Sequence, residues 1–496
     1  MRIFGYAGAI VILGLVIALD SGVTTIPPSD ADSAAALPTF SGYPEDVIPQ
    51  SELMVSDELR LLTTPEVCGA LNAAWDRDWI KVIAALNVLI ERQNACDSRA
   101  PTDLLYPAYY NYGAQLQRAG DRESAIVQYR RALAIQPTGK EAATALRDLN
   151  ALTPPPPERC DAAKIQAALK AVPAYTPQMT GAFVRLENGQ FSLNGAPYLV
   201  RGVNYYPSNA PWRRFLTASD LTQVARELDL IADLGLNTIR IFLWYEALFE
   251  CEGDGPVPRA EAFARLDGVI RLAAARNLRV LMTLNDLPDL LVRPLYTYPE
   301  ISNAQTRYLL NRYKDEAAIL AWDVRNEGDI DYIRGYARSR DVLAWLRQIV
   351  PIVRETAPKH LVTAGWNEGS QVTADMVDFI SFHHWRTPEN LRARIATMRA
   401  ATSKPILLQE VGYPARQIYP ESTANAAARL KAALDVAESQ KLLGWLVWTA
   451  FDYPTSATCI PPACPSADNA EHHFGLWTVN YQRKAMAEML AARLGR

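Results

Sequence analysis

The sequence predicts an α/β protein, a (β/α)8 TIM barrel over residues 183–496 with a small all-α domain before it over residues 56–152. Three observations predict it. Eight short apolar runs alternate with amphipathic stretches across the C-terminal part, the mark of β/α units around a parallel sheet. TPPPPE at 153–158 separates that texture from a helical one, as a stiff polyproline stretch does at a domain boundary. No G-x-G-x-x-G follows the first apolar run and no phosphate-binding loop occurs, which disfavours a doubly wound open sheet.

The chain begins with Arg2 and an uncharged apolar run, IFGYAGAIVILGLVIAL at 3–19. That length falls between a secretory h-region and a membrane-spanning helix. Residues 1–20 are therefore expected to be an export signal, cleaved or kept as an anchor, with the membrane met only there. The rest is expected to be extracytoplasmic, secreted or anchored to the cell membrane. Residues 21–55, rich in Ser, Ala, Pro and Asp, read as a flexible tether.

With 50 basic and 54 acidic residues and no dense Lys/Arg run, the chain lacks a nucleic-acid footprint. Six cysteines, an even number, suit an oxidising compartment. Cys459 and Cys464 enclose IPPA and suit a local staple, and Cys68 and Cys96 flank one helical hairpin. None has metal-site spacing, so no metal and no cofactor are expected.

Within 56–152, the stretch 107–137 places Tyr109, Gly113, Ala125, Tyr129, Ala132 and Pro137 at the offsets of a tetratricopeptide repeat. Small Gly113 and Ala125 let two antiparallel helices approach, aromatic rings fill the space between, and Pro137 ends the second helix. A degenerate copy lies at 70–90, and 141–152 resembles a capping helix. An ordinary helical bundle is the alternative. So few repeats make a spacer or a small docking surface for a protein partner. Residues 153–182 form a Pro-rich linker and a short helix.

Two Asn-Gly pairs, 188–189 and 194–195, signal a β-hairpin at the barrel's entry. The barrel strands follow at 198–206, 238–244, 279–286, 319–326, 361–367, 379–385, 405–413 and 444–451. Amphipathic stretches such as 221–235 and 260–277 lie between them.

Active residues of such a barrel gather at the C-terminal ends of its strands. Those ends carry Asn204, Tyr205 and Tyr206; Arg240, Trp244 and Glu246; Asn285 and Asp286; Asn326 and Glu327; Trp366 and Asn367; His383 and Trp385; Glu410; Trp448 and Asp452. Two glutamates, an arginine, a histidine and several tryptophans read as a sugar site. Strands four and seven lie nearly opposite, so Glu327 and Glu410 can face each other across the mouth. Cleaving a glycosidic bond needs one carboxylic acid to protonate the leaving oxygen. It also needs one carboxylate to attack the anomeric carbon or to activate water.

LAWDVRNEGD (320–329), PILLQEVGYP (405–414) and LGWLVWTAFDY (443–453), supported by 194–206 and 234–246, resemble glycoside hydrolase family 5. That family holds cellulases and mannanases of the clan of retaining (β/α)8 glycosidases. The resemblance covers residues 183–493. It implies an oligo- or polysaccharide substrate with β-linkages, Glu327 as acid/base and Glu410 as nucleophile. It further implies that Asn326 holds the sugar 2-hydroxyl, that Arg240 keeps the nucleophile ionised, that His383 orders the site and that Trp448 stacks under the ring.

Three departures stand out. Asn285-Asp286 ends the third strand where many members carry His. Trp385 fills the aromatic slot of the more common His-x-Tyr, which leaves Tyr413 as a candidate contact to the nucleophile. Gly328-Asp329 follows the acid/base in place of the frequent Pro. The candidate site is thus Glu327 and Glu410, with Arg240, Asn326, His383, Trp385, Trp448, Tyr413, Asn285 and Tyr205 binding or supporting. Its expected activity is retaining hydrolysis of β-linked glycans. The alternatives are a cell-surface scaffold with a non-catalytic, glycan-binding barrel, or a transglycosylase on the same residues.

Overall fold

The computed structural model describes residues 58–496 apart from 93, 97–98, 137, 150–159, 252–254, 287, 289, 291–294, 334–336, 417–419, 459–464 and 467. The export signal, the tether, Pro137, the polyproline run and the Cys459/Cys464 staple lie outside the described residues.

Among the described residues, the part before the barrel carries helices at Thr64–Ala74, Trp79–Glu91, Pro101–Arg118, Arg122–Ile135 and Lys140–Asp148. Short acidic caps start two of them: Asp78 accepts from the Lys81 amide and Asp121 from that of Ser124. The helices bury a core of their own, separate from the barrel's. At its centre a Cβ on Gly113 would come within 2.9 Å of the Tyr129 ring, so only glycine lets those two helices meet. Cys68 and Cys96 are bonded across the first hairpin.

A second disulfide, Cys160–Cys251, was not legible in the sequence, where its halves lie 91 residues apart. It ties the segment before the Ala162–Ala171 helix to the loop after the second barrel strand. Glu316 then fixes the entry to the barrel: its carboxylate accepts from the Tyr175 hydroxyl at 2.6 Å and from the Met179 amide at 3.0 Å.

The expected hairpin is a three-stranded antiparallel sheet, β1 (Arg185–Glu187), β2 (Gln190–Leu193) and β3 (Ala196–Pro197). At both Asn-Gly turns the two central residues have positive φ, the geometry of a type I′ turn. Phe191 of β2 packs edge-on against Phe379 and joins the apolar layer that closes the lower end of the barrel.

The barrel contains all eight predicted strands, trimmed at their ends. They are β4 (Val200–Asn204), β5 (Thr238–Phe242), β6 (Arg279–Thr283), β7 (Ile319–Asp323), a split fifth strand β8 (Leu361–Thr363) and β9 (Gly365–Trp366), β10 (Ile380–His384), β11 (Ile406–Val411) and β12 (Gly444–Val447). All pairings among them are parallel, β12 pairs with β4, and the break in the fifth strand falls at Ala364. Nearly every strand residue is buried, because helices cover the outside and side chains fill the inside. The Leu221–Asp233 helix shows the outer pattern, burying Val224, Leu228 and Ile231 along one stripe.

The Cys68–Cys96 bond closes a loop with a sequence separation of 28, which should stabilise the helical domain by about 3 kcal/mol. Cys68→Ser is expected to lower the unfolding midpoint of that domain in denaturant and to leave the barrel transition in place. A single transition shifted as a whole would show instead that the two cores unfold together.

Candidate active site

Arg240, in the middle of β5, is fully buried and meets an acceptor with each of its N–H groups. Its Nε donates to Thr283 Oγ1 at 2.8 Å. Nη1 donates to Asn204 Oδ1 at 3.1 Å and to Glu410 Oε1. Nη2 donates to Asp323 Oδ2 and Asn326 Oδ1, both at 2.8 Å. A guanidinium has five N–H donors, so none is left over. Because Asn326 Oδ1 is taken by Arg240, its amide nitrogen is the end able to donate to a ligand.

Glu327 leaves β7 with φ 46°, a strained conformation for a non-glycine residue and one that clusters at functional sites. Its amide is held by the Gly365 carbonyl at 2.7 Å. Oε1 lies 2.7 Å from His383 Nδ1 and 3.4 Å from Trp385 Nε1. The same Nδ1 lies 3.4 Å from Glu410 Oε2. One ligand atom from each of Glu327, His383 and Glu410 falls within 4.8 Å of the others. Three such groups could surround a cation, but both imidazole nitrogens are engaged, Nε2 by Gln409 Oε1 at 3.2 Å.

Burial lifts the Glu410 carboxyl above its ordinary value, against the pull of His383 and Arg240. Arg240 makes the expected contact to this carboxyl and pulls its pKa down, but burial outweighs that pull, and Asp323 shares the same guanidinium. Burial works against a charged imidazole at His383. Glu410 and Glu327 outweigh it and raise the His383 pKa.

A family model described as Cellulase (glycosyl hydrolase family 5) matches residues 194–452. The chain belongs to glycosyl hydrolase family 5. It is 26% identical over 196 residues to the probable mannan endo-1,4-beta-mannosidase C of Aspergillus terreus, a match covering 30% of this chain and 48% of that protein. The chain thus spans about half the length of that relative. Mannan endo-1,4-beta-mannosidase 3 of Solanum lycopersicum is 23% identical over 312 residues, 49% of this chain and 76% of that one. An exo-beta-1,4-mannosidase from Opitutaceae bacterium strain TAV5 shares the barrel fold, with a TM-score of 0.53, 23% identity and coverage of 63% of this chain and 62% of that one. So does GH5_18 from Streptomyces cattleya in complex with GlcNAc, with a TM-score of 0.51, 22% identity and coverage of 60% and 79%.

In this family 5 chain the structure brings Glu327, Glu410, Arg240, Asn326, His383 and Trp385 into one constellation. Trp448 stands beside it, edge-on to Phe242 and Trp385, with its Nε1 donating to Glu471 at 3.3 Å. Three expected members lie elsewhere. The Tyr205 hydroxyl turns outward to Glu227 on the Leu221–Asp233 helix, at 2.8 Å. Asn285 has φ 49° and accepts from Ser302 on the Pro299–Tyr313 helix. The Tyr413 hydroxyl donates to the Arg386 carbonyl at 3.0 Å, so this ring is not the nucleophile's contact, a role that falls to Arg240 and His383.

In two of these cases the neighbouring residue faces inward instead. Tyr206 donates to Asp286 Oδ2 at 2.6 Å and receives a hydrogen bond from Trp244 Nε1 at 3.0 Å. Sequence reasoning also missed Asp323 and Gln409. The only signal for Asp323 was a charge inside an apolar strand, four residues before Glu327. Asp329 accepts the backbone N–H groups of Asn367, Glu368 and Gly369, which explains the acidic residue in place of proline. Other histidines and tryptophans of the barrel have structural roles. His384 bonds the Thr387 carbonyl, His472 meets Thr458 and His473 meets Asp468, while Trp366 and Trp477 are core.

Asp286 is fully enclosed, and its Oδ1 has no partner among the described residues. Burial pushes this carboxyl up to about 7, with the Tyr206 hydrogen bond pulling the other way. A carboxyl raised in the folded state contributes its full stability below the unfolded value of 3.8, and loses it as pH rises toward 7. Asp286→Asn should therefore be more stable than the parent at pH 8 by a few kcal/mol, and this gain should vanish near pH 4. Thermal melts at the two pH values check it, and equal differences at both would refute the titration.

Proposed function

We propose that this chain is an exported glycoside hydrolase that cleaves β-1,4-linked mannose-containing glycans with retention of configuration. The observation that carries the reading is the approach of Glu327 and Glu410 across the barrel mouth, with His383 between them. Retaining enzymes hold their carboxyl pair about 5–5.5 Å apart, whereas inverting enzymes need about 6.5–9.5 Å to admit water. One oxygen of Glu327 lies within 4.8 Å of one oxygen of Glu410, which supports the first.

In the first step a Glu410 oxygen forms a bond to the anomeric carbon as the bond to the leaving oxygen breaks, and that oxygen takes the proton of Glu327. In the second, water gives a proton to Glu327 while its oxygen attacks the anomeric carbon, breaking the ester to Glu410. Asn326, fixed by Arg240, is placed to donate from its amide nitrogen to the sugar 2-hydroxyl. Trp448 offers an aromatic face for the ring.

The mannose assignment is supported by the relatives, whose names include mannan endo-1,4-beta-mannosidases and an exo-beta-1,4-mannosidase. Export is supported by the Cys68–Cys96 and Cys160–Cys251 bonds, which form in oxidising compartments. No helix among the described residues is long and apolar enough to cross a membrane.

Residues 38–496 and the Glu410→Gln variant, assayed on mannans, β-glucans, xylans and aryl β-glycosides, test this reading. The parent should release mannose-containing products, and Glu410→Gln should lower kcat by about three orders of magnitude or more while remaining folded. Equal turnover by both proteins would sink the site, and hydrolysis of glucans or xylans alone would sink the mannose assignment. Glu410 must be ionised to attack, so activity should fall away on the acid side at a pH above the ordinary glutamate value of 4.5. An acid limb below 4.5 in a pH–rate profile would contradict that.

A further inference from the structure

The imidazole between the two glutamates can hold its proton on either nitrogen, and its surroundings decide which. Its Nε2 faces Gln409, the residue before Glu410 on β11, with Gln409 Oε1 at 3.2 Å. The other end of that amide, Nε2, lies 3.1 Å from Asp323 Oδ2. The same Asp323 oxygen receives Arg240 Nη2 and Thr283 Oγ1, and Asp323 Oδ1 receives the Gly365 amide at 2.8 Å. Every contact of Asp323 is thus a donor, as an aspartate ion requires. Turning the Gln409 amide over would set its oxygen against that carboxylate. The amide therefore keeps its nitrogen toward Asp323 and its oxygen toward His383. An amide oxygen only accepts, so His383 Nε2 must carry a hydrogen.

We propose that Gln409 is a positioning residue that locks the proton of His383 on Nε2 and leaves Nδ1 as the nitrogen that exchanges a proton with the glutamates. The groups around the ring are consistent with this. Glu327 and Glu410 face Nδ1 from the ends of β7 and β11, at 2.7 and 3.4 Å. Arg240 on β5 opposes a charged ring through its field, and Asp323 on β7 acts through Gln409. Arg394, on the Pro388–Ala401 helix, donates to the His383 carbonyl at 2.6 Å and leaves both ring nitrogens alone. The backbone makes room for the arrangement: a Cβ at Gly365 would lie 1.8 Å from Gln409 Oε1. Asn204 also holds the Gln409 carbonyl, at 3.0 Å.

With Nε2 fixed as a donor, a proton on Nδ1 faces the carboxyl groups of both glutamates. When Glu327 gives its proton to the leaving oxygen, the Nδ1–H supports the carboxylate that remains. When Glu410 is consumed in the ester, the same N–H is left to Glu327 alone. What the proton does in turnover rests on the double-displacement reading; where it sits does not.

The test is nitrogen-15 NMR of the imidazole in the full chain, where only five histidines contribute, with His383→Asn to assign the signal. His383 Nε2 should keep a protonated shift through the titration while Nδ1 carries the change. A neutral ring protonated on Nδ1 would overturn the proposal, whatever the enzyme's activity. Gln409→Met keeps the side-chain length and removes the acceptor. It should destabilise the charged ring and move the alkaline limb of kcat/KM toward acid by on the order of half to one pH unit, with KM nearly unchanged. A loss of kcat with the limb unmoved would make Gln409 a packing residue only.

Discussion

The saturated guanidinium of Arg240 is the constraint on which the rest of the site depends. A buried cation is tolerable only if it is fully paired and hydrogen-bonded, and losing one partner of such a pair costs about 3–5 kcal/mol. Its five donors reach acceptors contributed by β4, β6, β7, the turn after β7 and β11. One side chain thus fixes the amide direction of Asn326, the position of the Glu410 carboxylate and, through Asp323, the orientation of Gln409. The strands supply the scaffold, and the arginine sets how their polar ends are aimed.

Around that hub the backbone gives way where the polar groups need space. The fifth strand breaks at Ala364, and the Gly365 amide after the break turns to Asp323 instead of continuing an uninterrupted strand. Glu327 adopts a left-handed backbone, with Asp329 just beyond it anchoring the next loop by three N–H groups. The helical segment reaches the same rim: the Glu91 carbonyl at the end of its second helix accepts from Arg386, beside Trp385, and Arg386 also pairs with Glu368 at 3.1 Å. A guanidinium at a helix C-terminus is favourably placed for the helix dipole.

The barrel was legible because its strands are continuous Val/Leu/Ile runs and its helices carry a clean apolar stripe, two periodicities that burial enforces. The pair Glu327 and Glu410 was legible because a carboxylate ending an apolar strand is costly unless it is used. Tyr205 and Asn285 were misplaced by one residue each. Where several polar residues follow one another at a strand end, successive side chains point to opposite faces and composition does not say which points in. At Asn285 the positive φ turns the chain once more. Gln409 and Asp323 escaped notice because their role lies in hydrogen bonds between strands 86 residues apart, which no local pattern encodes. The Cys160–Cys251 bond was hidden for the same reason.

The close approach of Gln409 to Gly365 carries a consequence for how this chain can vary over evolutionary time. The space that a side chain there would need is already filled by the oxygen of Gln409. Substitution at 365 is therefore conditional on a shorter neighbour at 409, and a shorter neighbour gives up the acceptor beside His383. The two positions form an epistatic pair. A lineage that keeps this glutamine is held to glycine two strands away, and one that abandons the glutamine is released at both sites together.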